Sequence, residues 1–154
     1  MLDVLRELHV ASGHPEIAEV VRFGSDGAPG GASPAGLRIR YVTGSEAYLW
    51  GAIWPAETPL PVPEVLPPPS RRAMRAAAFA AWLLEAARPG AFRAWELVAL
   101  SDLGPAGERG KVPLGLRINC LDGTSVLLRA TAAGGPTVEP DTEPHPDYRI
   151  PAAG

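Results

Sequence analysis

Gly36-Leu37-Arg38-Ile39 opens one run of sequence, and Gly115-Leu116-Arg117-Ile118 opens another 79 positions later. At that offset Gly44 falls on Gly123, Ser45 on Thr124 and Leu49 on Leu128. Leu37, Ile39 and Tyr41 alternate with Arg38, Arg40 and Val42. This period of two marks a half-buried strand. Residues 43–46 supply a turn, and a return strand is expected over 47–54. In the second run Asp122-Gly123, set between alternating stretches, is a strong hairpin signal. A repeated supersecondary unit predicts architecture, though not chemistry.

Working outward, Leu2, Leu5 and Leu8 predict a short amphipathic helix over 2–10, ended by Gly13 and Pro15. Residues 17–23 read as a strand. A second helix is expected over 71–88, capped by Ser70 and stopped by Pro89-Gly90. Its alanines at 77, 78, 80 and 81 keep it slim enough to lie close on a sheet. Strands follow over 92–100, 114–121 and 124–132. Fainter matches extend the repeat upstream. Glu19-Val20-Val21 resembles Glu96-Leu97-Val98 at an offset of 77, and Leu5 and Glu7 resemble Leu83 and Glu85 at 78. The expected fold is α+β: two pseudo-repeated α-β-β-β halves forming one antiparallel sheet, with the helices packed on one face.

The halves span 1–54 and 70–133 of one compact domain. Between them, residues 55–69 hold seven prolines and read as an extended connector, or as a ligand for an aromatic-lined groove. Gly/Ala/Ser/Pro-rich residues 24–34 and polar residues 101–112 read as loops. Residues 134–154 read as an extended tail with Tyr148 and Ile150 as candidate anchors.

The 154 residues are 46% hydrophobic and 20% charged, enough for a core without disulfide or metal. Lys111 is the only lysine, and the Ala, Gly, Pro and Arg usage suggests a GC-rich coding bias. A net charge of −3 gives no general attraction to nucleic acid or anionic membrane. The first residues do not read as a signal peptide, and no apolar run reaches membrane-spanning length. Cytoplasmic residence is the expectation.

Arg71, Arg72 and Arg75 crowd the start of the second helix, where cations oppose the helix dipole. Joined by Arg38, Arg40 and Arg117 they would make an anion or nucleic-acid site. Alternatively, those at the helix start pair with Glu64 or other carboxylates, and Arg38 and Arg117 are plain outward charges. Trp50 and Trp54 share one strand face and are candidates for a dimer or ligand surface, whereas Trp82 and Trp95 are expected in the core. Cys120 reads as an inert strand thiol. His9, His14 and His145 are scattered, with no metal-ligand spacing. The tail from Asp141 to Asp147 reads as a solvated acidic segment. No nucleotide, Walker, nucleophile-elbow or EF-hand motif is present, and no cofactor is expected.

The sequence thus points to a non-catalytic protein-binding module, chaperone- or inhibitor-like, that acts through an exposed sheet face and proline-rich segments and self-associates as a homodimer. Its candidate binding residues are Arg38, Arg117, Arg71, Arg72, Arg75, Trp50 and Trp54. Two other readings are a nucleic-acid or phosphate-ligand binder using the arginines, and a small enzyme with a pocket between the halves.

Overall fold

Alternation of apolar and polar residues builds the strands of this chain. The structure, a computed structural model, describes residues 1–24, 35–51, 72–99, 114–133 and 145–151. The elements run α1 (Leu2–Ala11), β1 (Ile17–Phe23), β2 (Gly36–Tyr41), β3 (Glu46–Gly51), α2 (Arg72–Ala87), β4 (Phe92–Val98), β5 (Gly115–Cys120) and β6 (Ser125–Ala133). The fold is α+β. Ser70, Arg71, Trp54, the proline connector, the loops over 25–34 and 101–112 and the tail to 144 lie outside the described residues.

α1 ends where expected: Ser12 stays right-handed, and Gly13 takes φ +62°, a conformation costly for side-chain-bearing residues. The strands form one six-stranded sheet in the order β1-β2-β3-β6-β5-β4, every neighbouring pair antiparallel. The two hairpins share a register: Gly36 faces Trp50 and Leu37 faces Leu49, as Gly115 faces Arg129 and Leu116 faces Leu128. The outer strands also correspond. Val20 faces Ile39 and Trp95 faces Ile118, and each pairing shifts register near its start, between Ile17 and Glu19 and between Phe92 and Ala94. By this register Val20 corresponds to Trp95, an offset of 75. The 77-residue offset read from Glu19 and Glu96 matched letters, not positions in the sheet.

One face of the sheet is the core. Leu37, Ile39, Ala47, Leu49, Leu116, Ile118, Leu128 and Ala130 are all 0 or 1% exposed. Leu5 of α1 joins them, as do Ala76, Ala77, Ala80 and Leu84 of α2. Alanines on α2 meet alanines on β3 and β6, so the helix seats close to the seam between these strands. α1 lies over β1 and β2 and touches α2. Trp95 is partly buried against this core, as expected. Trp82 is not: at 53% exposure it stands on the solvent side of α2, because Ala76, Ala77, Ala80 and Leu84 take the positions that pack on the sheet. Among the described residues no helix is long and apolar enough to cross a membrane.

Gly36 shows how tightly the opposite face is packed. A Cβ there would meet the Leu49 carbonyl oxygen at 2.6 Å, the Phe23 ring at 2.7 Å and the Trp50 Cβ at 2.8 Å. Gly90 has nothing within 4 Å of the same position. Gly36→Ala should therefore cost roughly 1–3 kcal/mol in urea unfolding, with Gly90→Ala close to neutral. Equal stabilities for the two variants would show that the strand gives way without penalty.

Candidate binding face

Leu37 and Ile39 are buried, so Arg38 between them projects from the opposite, helix-free face. Register carries the assignment across the sheet. Arg38 faces Tyr48, Tyr48 faces Thr131, and Trp50 faces both Gly36 and Arg129. On the far hairpin Arg117 faces Glu96 and Leu127. Polar and aromatic side chains thus alternate with a core that lies one pleat away.

At the centre, the Trp50 indole N–H donates to Thr131 Oγ1 at 3.1 Å, and the Arg129 guanidinium stands 5.7 Å from the Trp50 ring. Arg129 is only 2% exposed although it belongs to this face. Phe23 meets Tyr48 edge to face at 5.7 Å, over the space Gly36 leaves open. The Tyr48 hydroxyl donates to Glu46, and that carboxylate raises the phenol above its ordinary pKa. Arg38 and Arg40 share Glu19, at 3.9 and 3.0 Å, and Arg117 pairs with Glu96. Arg38 and Arg117 each keep a shielded Nε–H that has no hydrogen-bond acceptor among the described residues.

The seven expected binding residues do not form one patch. Arg38, Arg117 and Trp50 share the helix-free face, but Arg38 and Arg117 sit on β2 and β5, at least about 14 Å apart by strand spacing. Arg72 and Arg75 lie on the helix side. Arg72 is stacked 3.8 Å from the centroid of Tyr41, and both guanidiniums hold the Glu16 carboxylate, at 3.8 and 3.3 Å. Glu16, from the turn after α1, thereby offsets the cations that the start of α2 disfavours. Arg71 and Trp54 lie outside the described residues.

Sequence spacing also missed a second cluster. His14 packs edge to face on Tyr148 (4.5 Å between centroids), Phe79 (5.1 Å) and His145 (5.8 Å), and His9 lies 5.8 Å from Phe79. The three scattered histidines thus gather at the α1–α2 junction. The Tyr148 hydroxyl donates to the Ser12 carbonyl at 2.7 Å, so this tail residue does anchor. The signal was residue type alone: a tyrosine and a histidine in an otherwise polar tail. Among the described residues no three His, Cys, Asp or Glu side chains are placed to hold a metal ion.

His9 is buried. Its Nδ1–H donates to the Leu5 carbonyl at 2.7 Å, which leaves Nε2 as a shielded lone pair with no hydrogen-bond partner among the described residues. Burial lowers its pKa from 6.5 to about 4, the Leu5 bond opposing only in part. The folded pKa is depressed, so His9 contributes its full stability above pH 6.5 and loses it as pH falls toward 4. The loss should reach about 3 kcal/mol at ~1.4 kcal/mol per pKa unit. Denaturant unfolding from pH 7 to 4 should show this slope, and His9→Leu should flatten it.

Compared with protein-family models, curated proteins and solved structures, the chain has no match.

Proposed function

We propose that this chain is a non-catalytic protein-binding module whose contact surface is the helix-free sheet face. The observation that carries the reading is the composition of that face. Phe23, Tyr48 and Trp50 form a half-buried aromatic centre, flanked by the partly exposed side chains of Arg38 and Arg117. Aromatic anchors ringed by guanidinium groups are the composition that protein contacts favour. A partner offering carboxylates or backbone carbonyls would bind the exposed parts of these guanidinium groups. The proline-rich segments and self-association as a homodimer belong to the same proposal.

The junction between β3 and β6 supports a non-catalytic role. Ala47, Leu49, Leu128 and Ala130 fill it from the sheet and the α2 alanines fill it from above. A pocket between the halves needs room that this packing occupies. The phosphate reading is weaker, because Arg38, Arg72, Arg75 and Arg117 each already hold a carboxylate.

We further read the halves as copies of one α-β-β-β unit. The shared hairpin register, the matching shifts in the outer pairs and the strand order support this reading. Trp50 and Arg129 correspond at the 79-residue offset and also face each other across β3–β6, so a two-fold relation between the halves would pass through this pair.

A photo-crosslinking residue at Tyr48 should capture a discrete protein in the native cell, whereas the same residue at Glu85, on the exposed side of α2, should not. The double variant Arg38→Glu/Arg117→Glu should cut the Tyr48 adduct at least tenfold. Equal capture at both positions, or none at Tyr48, would sink the assignment. An oligonucleotide shift at low salt that the double variant abolishes would transfer the face to a phosphate ligand.

A further inference from the structure

We propose that β4 is the edge through which two copies of this chain pair, antiparallel and about a two-fold axis at Trp95, so that their sheets become one. The pairing gives a geometry to the self-association put forward above and rests on it, but takes nothing from the helix-free face. β1 and β4 are the two ends of the sheet, and they differ in what covers them.

Register identifies the backbone groups that face outward. Arg6 of α1 donates through Nε to the Val20 carbonyl at 3.2 Å, so the backbone of Val20 points away from β2. Trp95 stands opposite Ile118 as Val20 stands opposite Ile39, and Leu97 stands opposite Leu116 as Arg22 stands opposite Leu37. The N–H and C=O of Trp95 and Leu97 therefore point away from β5. Among the described residues they have no hydrogen-bond partner.

The cover over β1 has no counterpart at β4 among the described residues. Besides Arg6 on Val20, Asp3 of α1 binds Arg22 at 3.0 Å. On α2 residues 76–84 are all apolar, and the helix lies chiefly over β6 and β3, nearer the seam than the edge. The strand differs too. Leu97 stands where β1 has Arg22, and both Leu97 and Trp95 are only partly buried against the core. An apolar end strand with outward N–H and C=O groups is a template for another strand.

The order of its side chains selects a second copy as that strand. With the axis at Trp95, Leu97 faces Arg93 of the second copy. Glu96 then faces Ala94 of the second copy, next to the same Arg93. Arg93 and Glu96 are exposed, and the register shift between Phe92 and Ala94 leaves Arg93 without an opposite residue on β5. A two-fold contact presents this meeting of opposite charges twice. Moving the axis to Glu96 would instead set Glu96 against Glu96, a like-charge pair. Because β1 is covered, the association stops at two chains.

The test is sedimentation velocity and amide hydrogen exchange on the full chain across a concentration series. Concentrated chain should sediment at twice the 16.1 kDa monomer mass. The Trp95 and Leu97 amides should then exchange roughly tenfold slower or more than in the dilute monomer, with those of Val20 and Arg22 unchanged. Leu97→Lys puts on β4 the kind of charge that β1 carries at Arg22, and should weaken the dimer roughly tenfold or more. Arg93→Glu, at an exposed position that does not threaten folding, brings two acids together and should weaken it as well. A monomer at every concentration would overturn this pairing together with the self-association. A dimer of unchanged affinity in both variants would overturn the β4 pairing alone. So would Trp95 and Leu97 amides that stay protected in the dilute monomer, since the chain itself would then occupy the edge.

Discussion

The antiparallel pairing of β3 with β6 is the join on which the rest of this molecule depends. Without it the chain is two three-stranded sheets, each with a raw inner edge and a half-covered apolar face. With it, Leu49 and Ala130 fall side by side, and α2 covers the seam with alanines instead of bulkier groups. Ala76, Ala77 and Ala80 let α2 approach the seam closely, and Leu84 fills the core beside them. The same seam sets the other face. It brings Trp50 opposite Arg129 and Tyr48 opposite Thr131, and so defines the aromatic centre of the proposed contact surface.

Charge follows from the same layout. Several described arginines stand beside a carboxylate supplied by a neighbouring element. Glu19 from β1 serves β2, Glu96 from β4 serves β5, and Glu16 from a turn serves the start of α2. The exposed pairs add little stability individually. The Glu16 pairs are more enclosed and tie the start of α2 to the turn after α1, and Arg72 is also stacked on Tyr41. Aromatic stacking on one side of a guanidinium and a carboxylate on another leave it few ways to move.

Period-two alternation and hairpin turns were legible because they are local. Both hairpins, the strand at 17–23 and both helices lie within two residues of where the sequence placed them, apart from the strand ends beyond Gly51 and Val98. What the sequence did not disclose depends on contacts distant along the chain. Trp82 was expected inside because tryptophan usually is, but orientation on a helix is decided by which neighbours reach the sheet, and Ala80 and Leu84 do. The arginines at 38 and 117 were correctly read as pointing outward. That Arg72 lies across the sheet from them followed only from where α2 docks. The histidine cluster joins residues 9, 14 and 145, and no spacing rule anticipates a meeting that a distant tail completes.

One small contact has a wider reach. Arg6, on α1, donates to the carbonyl of Val20 in the outermost strand, and Asp3 of the same helix binds Arg22 there. A foreign strand that came to extend the sheet past β1 would meet a guanidinium and an acid in its path. Runaway stacking of chains into a fibre is thereby hindered at that margin, so the helix that completes the core also acts as a guard for the molecule in a crowded solution.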